Sequence, residues 1–141
     1  MSRWVYVETS AVLRILLEGD RALLKRLARE KKLVTSVLTQ VESARGLLRA
    51  SAEQRIDHRQ QREGQRWLRG FFRSCDLMAL DDAICERAGQ AFPIEPVRTL
   101  DALHLASALA WEDAVGGAVI FSCDDRVRDN ARALGLTVLP A

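Results

Sequence analysis

Apolar and polar positions along this chain change period several times, and the changes mark its elements. Thr99 to Leu109 is apolar nearly all round a helix, which predicts a central, buried one. A carboxylate, Asp101, nevertheless falls in its first turn. After a Gly116-Gly117 turn, Ala118-Val119-Ile120-Phe121 reads as a buried strand that ends abruptly in Ser122-Cys123-Asp124-Asp125. A buried helix and a buried strand that both bring acid to their ends suggest one shared site.

The same patterning predicts a strand at Arg3–Val7, rich in β-formers. A helix with Thr9 or Ser10 as N-cap follows to about Glu18, broken by Gly19-Asp20. Leu23, Leu24, Leu27 and Ala28 give Arg21–Lys32 a helical period. Leu33–Thr35 is a short second strand. Ser36 caps a helix to about Ala50 whose core face is Val37, Leu38, Val41, Ala44, Leu47 and Leu48, with Glu42 beside it. Asp76–Leu80 is a third strand. Asp81 or Asp82 then caps a helix reaching about Phe92, and Pro93 and Pro96 make a loop. A helix from about Arg126 to Leu134, closed by Gly135, leads to a last strand at Thr137–Leu139. Strands alternating with helices predict an α/β fold around a largely parallel sheet of about four to five strands.

Residues 51–74 are the polar part of the chain. Arg55, Arg59, Arg62, Arg66, Arg69 and Arg73 recur every three or four residues, which on a helix makes one basic stripe. Trp67, Leu68, Phe71 and Phe72 lie on another side. Gly64 and Gly70 argue against a single unbroken helix. The stripe suits a phosphate backbone, with aromatics to stack on bases. The arginines equally suit a solvated helix face, and the aromatics are expected to pack inward or at a dimer interface.

Composition narrows the class more than it names it. The 141 residues fit one domain, 1–141, and 48% hydrophobic with 28% charged residues is an ordinary globular balance. The net charge of +2 is too small to imply a partner by itself. Cys75, Cys85 and Cys123 are odd in number and lack CxxC spacing, so reduced thiols are expected rather than a disulfide framework or zinc site. His58 and His104 are too few for an imidazole-rich metal centre. No apolar run reaches membrane-spanning length and no signal peptide is evident, so the cytoplasm is the expected setting.

In an open parallel sheet, functional groups gather beyond the carboxyl ends of the strands. Glu8 follows the first strand, Asp124 and Asp125 follow the fourth, Asp101 opens the helix leading into that strand, and Glu42 lies on the helix after the second. If these acids converge, their hard oxygen donors suit Mg2+ or Mn2+. Such a cation relieves the mutual repulsion of the carboxylates and activates water at a phosphoryl group. Each acid also has a plain structural reading. Asp101 favours the helix dipole, Asp124 or Asp125 caps the next helix, Glu42 is a solvated residue at a core edge, and Glu8 is a loop acid. Their joint placement favours the site. His104, three residues after Asp101, reads as a hydrogen-bonded core histidine rather than a general base.

Val5–Ala11, Thr35-Ser36 through Glu42, Leu100–Ala106 and Phe121–Asp124 together make the chain resemble the PIN-domain ribonucleases, specifically the small toxins of VapBC toxin–antitoxin systems. The Asp101-Ala102-x-His104-x-Ala106 pattern is the most specific of these pieces. The resemblance implies a three-layer α/β/α fold and a metal-dependent endoribonuclease. Glu8, Glu42, Asp101 and Asp124 would hold one or two Mg2+ or Mn2+ ions. Ser10 and Ser122 would order the site, and Asp125 stands one step beyond the matching acid. A cation-activated water would cleave tRNA, rRNA or mRNA, leaving a 5′-phosphate and a 3′-hydroxyl. It also implies a homodimer and a VapB-type antitoxin, whose acidic groups the Arg55–Arg73 stripe could receive. One departure stands out: the family's first acid is normally aspartate, and here it is Glu8, one methylene longer. The competing expectation is therefore an attenuated or inactive module that grips RNA or antitoxin without cleaving. A phosphoacceptor receiver domain is set aside, because the first strand ends in a single acid and no lysine follows Lys32.

Overall fold

A computed structural model describes residues 2–141. Five strands, β1 (Trp4–Val7), β2 (Lys32–Ser36), β3 (Cys75–Met78), β4 (Val119–Phe121) and β5 (Thr137–Leu139), form one sheet in the order β3-β2-β1-β4-β5. All four pairings are parallel, with Val5 opposite Leu33 on one side and Val119 on the other. Among the described residues, seven helices connect and flank the strands: α1 (Thr9–Glu18), α2 (Arg21–Ala28), α3 (Val37–Ala52), α4 (His58–Arg73), α5 (Asp82–Ala88), α6 (Thr99–Val115) and α7 (Asp125–Ala133).

Side chains alternate across the strands, so the sheet has a core on each face. Val5, Val7, Val119 and Phe121 pack with α1 to α4. Tyr6, Val34, Ile120 and Val138 pack with α6 and α7 on the opposite face. The result is the expected three-layer α/β/α arrangement. The chain first builds outward from β1 to β2 and β3, then returns to lay β4 on β1's other side. The β1/β4 boundary is therefore the topological switch point, where open α/β sheets leave a crevice.

Several expectations change in detail. The N-cap of α1 is Glu8, whose carboxylate accepts from the Ser10 amide, rather than Thr9 or Ser10. Helix α2 stops at Ala28, because a break at residues 29–31 lets β2 start at Lys32. Strand β3 begins at Cys75, and α5 ends at Ala88, short of Phe92. Arg55 lies in the turn before α4, so the basic stripe on that helix runs from Arg59 to Arg73. Helix α4 is continuous through Gly64 and Gly70, begun by a capping box in which Asp57 and Gln60 exchange hydrogen bonds.

The core face of α3 is the largest revision. Its buried residues are Thr39, Ser43, Leu47 and Ala50, while Val41 is 60% and Leu48 44% exposed. Small residues win the inward face because neighbouring helices approach closely. A Cβ on Gly46 would stand 2.7 Å from Leu13 Cδ2, and one on Gly64 of α4 would stand 2.9 Å from Leu47 Cδ1. Leu48 lines an open groove of about 700 Å³ with Ala44, Leu68, Phe72 and Leu77, edged by Arg69 and Arg73. Among the described residues, no helix is long and apolar enough to cross a membrane, and the three cysteines are free thiols.

Candidate active site at the β1/β4 switch point

Strand β1 delivers Glu8 and strand β4 delivers Ser122 to adjacent places, because Val7 pairs with Phe121 and the Glu8 amide donates to the Phe121 carbonyl at 2.9 Å. Glu8 is only 4% exposed. Burial of a carboxylate requires partners, and it has three. Oε2 accepts from the Ser10 amide at 2.8 Å, and Oε1 accepts from the Ser10 and Ser122 hydroxyls, both at 2.6 Å. Ser10 Oγ also accepts from the Cys123 amide, and Ser122 Oγ from the Asp124 amide. These two serines thus stitch the ends of β1 and β4 around one carboxylate.

Asp124 follows directly. Its Oδ1 caps α7 by accepting from the Arg126 and Val127 amides at 2.9 and 3.2 Å. The structural role anticipated for it is thus real, and it leaves Oδ2 facing outward. Asp101, in the first turn of α6, faces the same space. The Arg98 guanidinium lies between them, with Nε 3.2 Å from Asp101 Oδ2 and Nη2 3.5 Å from Asp124 Oδ2. Asp101, then Asp124 and Glu8, hold the Arg98 guanidinium more firmly protonated than usual. Asp125 is the exposed first residue of α7.

Glu42 enters from α3 through a separate network. Its Oε1 accepts from Thr9 Oγ1 at 2.7 Å and lies 2.6 Å from His104 Nε2. A carboxylate can only accept, so Nε2 carries a proton and donates it. On the ring's other side, Nδ1 lies 2.8 Å from the Tyr6 hydroxyl. Tyr6 is fully buried, and that burial pushes its phenol well above its ordinary range, so it keeps its proton. Burial opposes ionisation of Glu42, but the hydrogen bond and charge of His104, with the Thr9 hydroxyl, outweigh it and hold the carboxyl below its usual range. His104 is 1% exposed and hydrogen-bonded on both ring nitrogens, a core histidine whose polar work is to hold Glu42.

The candidate acids therefore fall into linked groups. Glu8 sits with Ser10 and Ser122, Asp101 and Asp124 meet across Arg98, and Glu42 is tied back to Thr9 and His104. Among the described residues, no three acidic, cysteine or imidazole side chains are drawn to one point as placed. A cleft of about 330 Å³ opens beside Asp124, lined by Ser10, Arg14, Glu18, Arg55 and Cys123, with Arg14 paired to Glu18 at 3.2 Å. Sequence reasoning missed Thr9, Arg14, Arg98 and Arg128 here. Arg98 had one available signal, its spacing three residues before Asp101 on a helix start. Arg128 donates to the carbonyls of Ser122, Leu139 and Pro140 and so fixes the end of β4, a set of backbone contacts with no residue pattern to betray it.

Comparison with known proteins bears on the family and the fold. The PIN domain family profile matches residues 5–133. The chain is 32% identical over 137 residues to Ribonuclease VapC46 of Mycobacterium tuberculosis, covering 96% of this chain and 95% of that protein. It is 31% identical over 140 residues to Ribonuclease VapC35 of the same organism, with the same coverage. Among solved structures, VapBC2 from Rickettsia felis, bound to a DNA fragment from its promoter, matches with a TM-score of 0.66 at 12% identity, covering 96% of each chain. DNA-bound VapBC from Salmonella typhimurium also matches with a TM-score of 0.66, at 15% identity, covering 98% of this chain and 97% of that one. Both resemblances are of fold. With that profile spanning residues 5–133 and a VapC relative 32% identical over nearly the whole of both chains, the chain belongs to the PIN-domain family, among the VapC ribonucleases.

Proposed function

We propose that this protein is a divalent-metal-dependent endoribonuclease acting as the toxin of a toxin–antitoxin pair in the cytoplasm. The observation that carries the reading is the meeting of Asp101 and Asp124, from different elements, around one positive charge at the sheet's switch point. That arrangement fits a cation. The donors are hard carboxylate oxygens, they already face a guanidinium, and Glu8 is the next acid inward. Asp101, Asp124 and Glu8 would hold Mg2+ or Mn2+, with Glu42 as a fourth acid. When bound, such an ion supplies Lewis acidity and water activation for phosphodiester hydrolysis.

The chain's own residues supply the rest. Ser10 and Ser122 fix the Glu8 carboxylate, and His104 with Thr9 fixes one oxygen of Glu42, which leaves the other oxygen for a ligand. Asp125 stands at the rim. Arg14 and Arg55 line the cleft beside Asp124, where an RNA backbone would run. The exposed stripe of Arg59, Arg62, Arg66, Arg69 and Arg73 is offered to RNA or to the acidic groups of a VapB-type antitoxin. The apolar α3–α4 groove is offered to a second copy of this chain.

The deciding experiment incubates purified, antitoxin-free protein with mixed tRNA and rRNA, in Mn2+ or in EDTA, beside Asp101→Ala. Cleavage in Mn2+ that disappears both in EDTA and in the variant is the expected result. Cleavage that persists in EDTA would remove the metal-dependent reading, and none in any condition would remove the nuclease.

A further inference from the structure

Arg98 is given no chemical step in the scheme above, yet it bridges two of the acids that carry it. It occupies the N-cap of α6 without making a side-chain cap, so its guanidinium is free of the usual local duty. Instead it spans from Asp101 on its own helix to Asp124 at the start of α7. The acids are sheltered, with 15% and 26% of their side chains exposed, whereas Arg98 is 65% exposed. The positive charge therefore comes down onto the acids from the solvent side. Two carboxylates facing one space repel unless a cation lies between them, and this chain carries its own. An arginine so exposed is held weakly, because water and salt screen the pair. It makes one contact to each acid rather than a two-pronged grip on either, so it can leave.

We propose that Arg98 is a displaceable counter-ion. It holds Asp101 and Asp124 together in the resting protein, yields their oxygens to the divalent cation, and then turns to the RNA phosphate at the cleavage point. This rests on the reading that these two acids bind metal. Once the acids are neutralised by the ion, they no longer compete for the guanidinium. Its planar fork, still on the outer lip of the site, matches the oxygens of a phosphate. The residue would restrain metal uptake and then assist the reaction.

The two roles give one substitution opposite effects. Arg98→Gln keeps the reach and removes the charge, and Arg98→Lys keeps the charge. Mn2+ binding is read by electron paramagnetic resonance of the free ion, and single-turnover RNA cleavage is read at saturating Mn2+. Arg98→Gln should bind Mn2+ more tightly, by about fivefold for one unit charge a few ångströms away in a solvated site. It should also cleave roughly tenfold more slowly or worse, the loss of one charged contact to a phosphate. Arg98→Lys should restore most of the parent's Mn2+ affinity. Equal or weaker Mn2+ binding by Arg98→Gln overturns the proposal and leaves the metal reading standing. Tighter binding with undiminished cleavage overturns it too, because the guanidinium then does nothing for the RNA. No Mn2+ bound by either protein overturns both readings.

Discussion

Glu8 shows how much one side chain decides here. Its carboxylate is saturated by Ser10 and Ser122 and caps α1, so the extra methylene has been absorbed without leaving a buried oxygen unsatisfied. The arm is nevertheless longer than the aspartate usual in PIN ribonucleases, and an error near 1 Å in an active group can cost on the order of 100-fold in rate. Glu8→Asp is expected to raise single-turnover cleavage in Mn2+ by about tenfold or more on that scale. An equal or lower rate would show that the longer arm is the correct one. That Glu8, Asp101 and Asp124 stand at the ends of elements was legible in the sequence, because each follows or opens an apolar run. Thr9 was not, because its partners lie on other elements, nor was the reach of Arg98 to Asp124, and neither residue type marks a metal site. The bond from His104 to Glu42 spans 62 positions and was equally out of reach. The burial of His104, by contrast, followed from its apolar helix.

At the scale of elements, hydrophobic periodicity located every strand and most helices but misjudged the orientation of α3. Counting apolar side chains favours Val41 and Leu48 as core, whereas close helix contact favours Gly46, Ser43 and Ala50. Hydropathy does not record which face must be thin. The two glycines of α4 separate the same effects. At Gly70 a Cβ would meet nothing within 4 Å, while at Gly64 it would press on Leu47 and Leu16 at 2.9 and 3.1 Å. Gly70→Ala should therefore stabilise the fold by about 0.5–1 kcal/mol, the ordinary helical gain over glycine. Gly64→Ala should lose that gain and destabilise the fold by about 1–3 kcal/mol through overpacking. Urea unfolding midpoints measure both, and a gain at Gly64 would mean that the Leu47 and Leu16 methyls turn aside at little cost.

For the whole molecule, the order β3-β2-β1-β4-β5 explains why one crevice collects residues from both halves of the chain. The sequence showed alternating elements and hence a parallel sheet. It could not show that β1 is central, since that depends on where the return crossover lands. The α3–α4 groove is the other molecular feature, with Leu48 and Leu77 exposed on it at 44% and 43%. A second copy covering this face would remove apolar surface worth about 25 cal/mol per Å². Leu48→Asp should shift the protein from dimer to monomer in light scattering at micromolar concentration while leaving its circular dichroism unchanged. A parent that is already monomeric would dismiss the homodimer.

The serine stitch has a consequence for how the protein is born. The hydroxyl of Ser122 and the carboxylate of Glu8 are 114 positions apart, and Arg128 secures the last strand only after both. A ribosome releases the amino end first. Glu8 is therefore outside long before its neighbours exist, and the acidic centre has no shape until β4 slides in beside β1. For a chain that emerges surrounded by ribosomal RNA, this order of assembly leaves the Glu8 carboxylate without its Ser122 partner until β4 has emerged as well.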